Sequence, residues 1–189
     1  AIGNIRLDYA VLNWLSVGYR LGVDAYTDRR KKITAINSFA APGGAGRVIE
    51  DNFFRSELNG DLLITAKKDN IFTRGLNANL LLGQNINNRV YQNVYIQADS
   101  LSIPGYYNVA NASKFDQSGE TNNVRRLLGY YAQLSLAYNN YLFMELTGRI
   151  DQSSTLPKAN NTFFYPGVSA SYVFTDALRI ASNVLSYGK

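Results

Sequence analysis

The segment 15–25 reads LSVGYRLGVDA. It places Leu15, Val17, Tyr19, Leu21, Val23 and Ala25 at odd positions, and Ser16, Gly18, Arg20, Gly22 and Asp24 at even ones. A period of two over that length is a strand with one apolar face and one polar face. The same pattern recurs. Ile5, Leu7, Tyr9 and Val11 alternate with Arg6, Asp8 and Ala10, and Leu58, Leu62, Ile64 and Ala66 oppose Glu57, Asn59, Asp61 and Thr65. Leu76, Ala78, Leu80 and Leu82 oppose Gly75, Asn77, Asn79 and Gly83. Further on, segments 128–138, 142–150 and 168–174 repeat it. Most of these runs are longer than the five or six residues of an ordinary strand. The chain is therefore expected to be all-β, and its function turns on whether the apolar faces meet a second sheet or lipid.

Connection lengths bear on that choice. Residues 12–14, the KKDN stretch at 67–70, and Asn139-Asn140 read as tight turns rich in Asn, Asp and Lys. Segments 27–54, 88–124 and 152–162 read as long loops. With strands running up and down in order, every short turn falls at one end and every long loop at the other. A soluble sandwich packs two apolar faces together and has no need of such sorting. A transmembrane β-barrel has it, with short periplasmic turns, long extracellular loops and strands of about ten residues. Trp14, Tyr138 and Tyr141 stand at the short-turn end, and Tyr26, Phe163, Phe164 and Tyr165 near the other. Aromatic residues favour both membrane interfaces, although Tyr is also a good strand residue anywhere. The fold expected is a run of antiparallel membrane-spanning strands over 1–189, about seven in number, with no second domain.

Composition excludes several alternatives. The chain has no Cys and no His among 189 residues, which removes disulfides, thiolate chemistry, the commonest general base and the commonest metal ligand. No apolar run reaches the roughly 18 residues of a membrane helix. The start, AIGNIRLDYA, carries no signal-peptide pattern, so a signal has been removed or the chain is an internal piece. A net charge of +5 raises the question of nucleic acid, but the cations cluster only at Arg29, Arg30, Lys31 and Lys32, with no basic stripe or aromatic-basic sheet face. No nucleic-acid partner is expected.

Constellations that would carry chemistry are few. Pro42-Gly43-Gly44-Ala45-Gly46 lacks the Gly-Lys-Ser/Thr ending of a phosphate loop and reads as a plain loop. Asp116, Ser118 and Glu120 lack EF-hand spacing, so no metal or other cofactor is expected. The polar faces hold Arg20, Asp24, Glu57, Asp61, Glu145, Arg149 and Asp151. Carboxylates such as Glu57 and Asp61 can serve acid–base chemistry, but no nucleophile–base constellation accompanies them. They are expected to line a hydrated lumen, and the chain is not expected to be an enzyme. Tyr91, Tyr95, Tyr106, Tyr107 and Asn108 fall in the second long loop. Their rings and amides suit stacking on a sugar or a peptide backbone, or a compact loop packing on its own side chains.

The segment 125–176 resembles the late-barrel region of the SusC/RagA family, the TonB-dependent outer-membrane transporters of Bacteroidetes. The resemblance rests on Arg149-Ile150-Asp151-Gln152-Ser153-Ser154, followed by Phe164-Tyr165-Pro166-Gly167-Val168-Ser169-Ala170. Asn13-Trp14-Leu15 with Tyr19-Arg20-Leu21-Gly22, and Ile103-Pro104-Gly105-Tyr106-Tyr107-Asn108, also resemble family segments. So does Leu185-Ser186-Tyr187-Gly188-Lys189 at the end. Gln152 stands where the family usually has Gly. Nothing in the chain resembles the family's plug domain or TonB-binding box, so a barrel fragment is expected.

The resemblance implies nutrient uptake: import of oligosaccharides or peptides, energised by TonB through the plug, with a SusD-like surface lipoprotein capping the long loops. It implies an integral place in the outer-membrane lipid. The length of segments 27–54 and 88–124 against the tight turns at the other end leads to the expectation that they face outside the cell. The alternatives are a passive porin or structural barrel, which needs neither plug nor TonB, and a soluble β-sandwich binding module.

Overall fold

The computed structural model describes residues 1–180, 185 and 187–189. Seven strands form one sheet in sequence order: β1 (Ile2–Leu12), β2 (Leu15–Ile36), β3 (Ala45–Lys68), β4 (Leu76–Leu101), β5 (Ala112–Tyr138), β6 (Leu142–Ser153) and β7 (Thr162–Tyr172). The fold is an all-β antiparallel meander with β1 and β7 at its edges, and among the described residues its one α-helical turn is α1 (Phe174–Ala177). Ser186, within the C-terminal motif noted above, lies outside the described residues.

The alternating segments are strands, but the three expected long loops need correction. Segments 27–54 and 88–124 are mostly β-structure. β2, β3, β4 and β5 run to 22, 24, 26 and 27 residues, so that only 37–44 remains between β2 and β3 and only 102–111 between β4 and β5. The cause is visible in the side chains. Over these stretches both faces are polar: Arg29, Glu50, Asn52 and Gln92 stand on one face, and Asp28, Arg30, Asp51 and Asn93, among the alternate residues, line a concavity. A strand with water on both sides keeps its ladder hydrogen bonds but loses its period-two hydrophobic signal. The third expected loop, 152–162, narrows to 154–161. At the other end, β3 persists to Lys68 and the connection to β4 is 69–75. There the Asn70 side chain accepts from Gly75 N at 2.8 Å, and Asn70, Phe72 and Gly75 take positive φ. Asn139 and Asn140 form the expected tight hairpin turn, both with positive φ. The last strand ends at Tyr172 rather than Phe174, which opens α1.

The chain divides into two compact units. The first comprises Ala1–Gly3, Val23–Glu57 and Asn88–Arg125. Its small core is formed by Ala41, Val48, Ala98 and Leu101, with Val48 and Ala98 fully buried. Gly46, at φ +75°, closes the β2–β3 hairpin; a Cβ there would sit 3.0 Å from Ile36 and 3.1 Å from Leu101. The Gly-rich stretch around it is thus a hairpin tip.

The second unit comprises Asn4–Gly22, Leu58–Asn87 and Arg126–Lys189. Here the sheet is inverted relative to a water-soluble one. Across β5, β6 and β7 the apolar residues line up in rows: Tyr130, Ile150 and Phe164; Leu134, Leu146 and Val168; Leu136, Met144 and Ala170. Yet Phe164 is 63% exposed and Val168 73%. On β4, Leu80, Leu82 and Ile86 are exposed, whereas Asn87 is buried and Asn77, Asn79 and Asn85 are half-buried. On the polar face the Tyr131 ring lies over Gly83, where a Cβ would come within 2.1 Å of the ring. At the short-turn end, Tyr138, Tyr141 and Tyr172 stack edge-on at 5.6 and 6.1 Å between ring centres.

Candidate ligand-binding face

Two polar surfaces emerge, one in each unit. In the second unit, Asp61 is the centre of a network. It accepts from the Arg20 guanidinium at 2.8 Å, from Asn85 Nδ2 at 2.6 Å and from Asn59 Nδ2 at 3.2 Å. Asn85 also donates to Asn59 Oδ1. Glu145 accepts from Gln133 Nε2 at 2.8 Å, and Arg149 holds Asp151 at 2.9 Å with its guanidinium over Tyr131. Four acidic or basic residues expected on a polar face (Arg20, Asp61, Arg149 and Asp151) are thus joined in ion pairs, and Glu145 is held by an amide. Every charged group in this network has a partner already. Asp24 and Glu57 belong to the first unit; Asp24 is exposed, and Glu57 accepts from Arg89 at 3.0 Å.

The first unit carries a more suggestive arrangement. Alternate residues of three adjacent strands converge on one concavity of about 370 Å³: Tyr26, Asp28 and Arg30 of β2, Asp51, Phe53 and Arg55 of β3, and Tyr91, Asn93 and Tyr95 of β4. Period-two spacing puts each trio on one face of its strand. Phe53 stands between Tyr26 and Tyr91, with ring centres 6.4 and 6.5 Å apart. Two guanidiniums lie on these rings. Arg30 is 4.8 Å from the centre of Phe53, and Arg55 is 5.5 Å from Phe53 and 5.0 Å from Tyr91. Asp28 holds Arg30 at 2.8 Å, and Asp51 accepts from Asn93 Nδ2 at 2.6 Å. The wall alternates in sign and is lined by aromatic faces.

Of the five residues expected to bind substrate, Tyr91 and Tyr95 belong to this concavity, on a strand and not on a loop. Tyr95 also donates to Gln97 Oε1 at 3.2 Å. Tyr106, Tyr107 and Asn108 sit in the β4–β5 connection. Tyr91 is ten positions before Leu101, the end of β4, or roughly 33 Å along an extended strand. The structure does not bring the two groups together. In the connection the buried Asn111 side chain donates to Ile103 O and Tyr106 O and accepts from Ile103 N, while Asn108 Oδ1 accepts from Ala110 N. Asn108 is thus spent on shaping the turn, Tyr107 is half-buried, and Tyr106 projects, 50% exposed.

Sequence reasoning missed Phe53, Arg55, Arg30, Asp28 and Asp51 as site residues. Their signal is the alternation of aromatic and charged residues in Tyr26-x-Asp28-x-Arg30 and Asp51-x-Phe53-x-Arg55. It is a strand pattern hidden inside what reads as loop.

Below the turn, Asp99 is buried against Arg47 and Gln97. Burial pushes its carboxyl up; the Arg47 guanidinium, the Gln97 amide and the more distant Lys114 outweigh that and hold it below the ordinary range. Asp116, the first of the residues considered for calcium, lies on β5 with Lys114 at 3.8 Å and accepts from Gln97 at 3.4 Å. Among the described residues no three acidic side chains converge on a metal-sized site.

No protein-family model matches the sequence, and no curated protein does either. Solved structures do. A structure of the RagAB peptide transporter superposes with a TM-score of 0.85 at 12% identity, covering 96% of this chain and 21% of that one. The RagAB peptide importer in its closed-closed and open-open states gives TM-scores of 0.85 and 0.84, again at 12% identity. At that identity the likeness is one of fold. The chain spans about a fifth of the length of these neighbours.

Proposed function

We propose that the chain is a stretch of an outer-membrane β-barrel importer of the SusC/RagA kind, taking up peptides or oligosaccharides with energy supplied through TonB and with a SusD-like lipoprotein as partner. The observation that carries this reading is the inverted sheet of the second unit. Its apolar residues Leu80, Leu82, Ile150, Phe164 and Val168 stand exposed, while Asp61 and Asn87 on the other face are buried and Arg20, Arg149 and Asp151 are held in ion pairs. Lipid is the environment in which that arrangement is stable, because a lone apolar face in water costs about 25 cal/mol per Å². Strands with an apolar outer band and a polar inner wall are the building unit of outer-membrane barrels. The edge-stacked Tyr138, Tyr141 and Tyr172 fit an interfacial aromatic girdle. The doubly polar strands of the first unit fit water on both of their faces, and about ten tilted residues suffice to cross a bilayer. The fold shared with a peptide transporter favours peptides over sugars.

The test is uptake of a labelled peptide pool by cells expressing the full-length protein, with and without TonB. TonB-dependent uptake lost on deleting the gene supports the reading. Uptake indifferent to TonB marks a passive porin. A protein that stays soluble without detergent and fractionates away from the outer membrane excludes both.

A further inference from the structure

We propose that Arg55 reads a carboxylate on the bound peptide, so that the β2–β4 concavity selects chains carrying an acidic side chain. This rests on the peptide-import reading and deepens it.

The two guanidiniums lining the concavity differ in what they have left to give. Arg30 donates to Asp28 at 3.0 and 2.8 Å, through Nε and Nη2. Its charge is met. Arg55 makes no hydrogen bond and no ion pair among the described residues, and its contacts are the faces of Phe53 and Tyr91. The nearest other acid along β3, Glu57, already accepts from Arg89, and Asp51 accepts from Asn93. A guanidinium offers five N–H donors in a planar fork matched to a carboxylate. Its place over two ring faces restrains the Arg55 guanidinium before a ligand arrives, which lowers the ordering cost of binding. Arg55 lines the concavity with its donors free of any protein acceptor among the described residues, and a bidentate carboxylate bond is the strongest use of them.

Charge on the same wall narrows the ligand further. Asp28 and Asp51 line the same concavity, and with Arg30 spent on Asp28 a single unpaired cation remains beside Asp51. A polyanion is therefore less well matched than a chain with one carboxylate and several amide groups. Tyr91 and Tyr95 offer ring faces and a hydroxyl to the peptide backbone, and Asn93 sits between them. A peptide with an isolated Glu or Asp satisfies all of these groups; a uronic-acid oligosaccharide, charged at every ring, does not.

The test is binding to the full-length protein in detergent, with two coumarin-labelled, amidated pentapeptides, Ala-Ala-Glu-Ala-Ala and Ala-Ala-Gln-Ala-Ala, and with trigalacturonate. In the unaltered protein the Glu peptide is expected to bind roughly tenfold more tightly than the Gln peptide, the effect of a charge-assisted pair. Arg55→Gln is expected to bring the two within about twofold, and Arg55→Lys to keep part of the preference, since a point charge lacks the fork. Equal affinities in the unaltered protein overturn the proposal while leaving peptide import standing. Binding of neither peptide overturns both. Trigalacturonate bound more tightly than the Glu peptide, and lost in Arg55→Gln, overturns the assignment to peptides.

Discussion

Asp61 lies 94% out of contact with solvent, and its carboxylate takes two donors from Arg20, the closer at 2.8 Å, from a strand 41 positions away in sequence. Asn59 and Asn85 complete its shell. A buried carboxylate held by three side chains fixes the register of β2, β3 and β4 against one another. Removing it leaves Arg20 and the two amides short of an acceptor. Because Arg20 is itself half exposed, water compensates part of the loss. Asp61→Ala is therefore expected to cost about 1–3 kcal/mol in urea unfolding followed by heat-modifiable gel migration. A cost under about 0.5 kcal/mol, the usual range for surface changes, contradicts this.

Gln133 and Leu134 are sequence neighbours on opposite faces. Leu134 pairs with Leu146 in an apolar row that continues to Val168, and Gln133 donates to Glu145. With lipid on the apolar face near the bilayer midplane, Leu134→Arg is expected to destabilise by about 2–4 kcal/mol. Gln133→Arg is expected to cost far less, since Glu145 offers the new cation a partner. Equal costs in the same unfolding assay point to a soluble core behind Leu134.

Protease applied to intact cells should cut within 37–44 and 102–111 and leave the strands on either side intact. The hairpin stems are paired throughout, and paired backbone resists cleavage where a turn does not. Cleavage spread evenly across 27–54 contradicts the extended strands, and cleavage confined to 69–75 reverses the orientation.

Acid should loosen the β4–β5 hairpin through Asp99. Its folded pKa is depressed, so the stability it contributes is present above the ordinary aspartate value of about 3.9 and is lost as pH falls through the lower folded value. Hydrogen exchange of the amides around Asp99 is expected to be constant from about pH 7 to 5 and, after correction for intrinsic rates, to rise below about pH 4. Asp99→Asn should be less protected at pH 7 and show little further change with acid. An unchanged pH profile in Asp99→Asn removes Asp99 from this role.

What was legible in the sequence follows from where one face of a strand differs from the other. Leu15–Ala25 and 128–138 alternate because the two faces meet different surroundings, so seven strands and their order are readable. The stretches 26–36 and 45–56 carry Arg, Asp and Asn on both parities, and nothing local separates such a strand from a loop. The binding face was half legible for the same reason. Tyr91 and Tyr95 are conspicuous as aromatics, but Arg55 matters through its position over Tyr91, and that depends on the register of β3 against β4. Tyr106 and Tyr107 are equivalent in the sequence, yet one is exposed and the other half-buried in a turn whose backbone the buried Asn111 holds at Ile103 and Tyr106.

The most direct test of the inverted sheet uses the absence of Cys from this chain. Single Cys residues placed one at a time at positions 76–83 of β4, in the full-length protein in lipid bilayers, take a nitroxide label. Its accessibility to oxygen, which partitions into lipid, is compared with that to a water-soluble nickel chelate. Oxygen accessibility should peak at Leu76, Ala78, Leu80 and Leu82, and chelate accessibility at Asn77, Asn79 and Gly83, the two profiles alternating out of phase. Both reagents peaking at the Asn positions, with the Leu positions closed to each, would place the apolar face against protein and contradict a lipid-facing sheet.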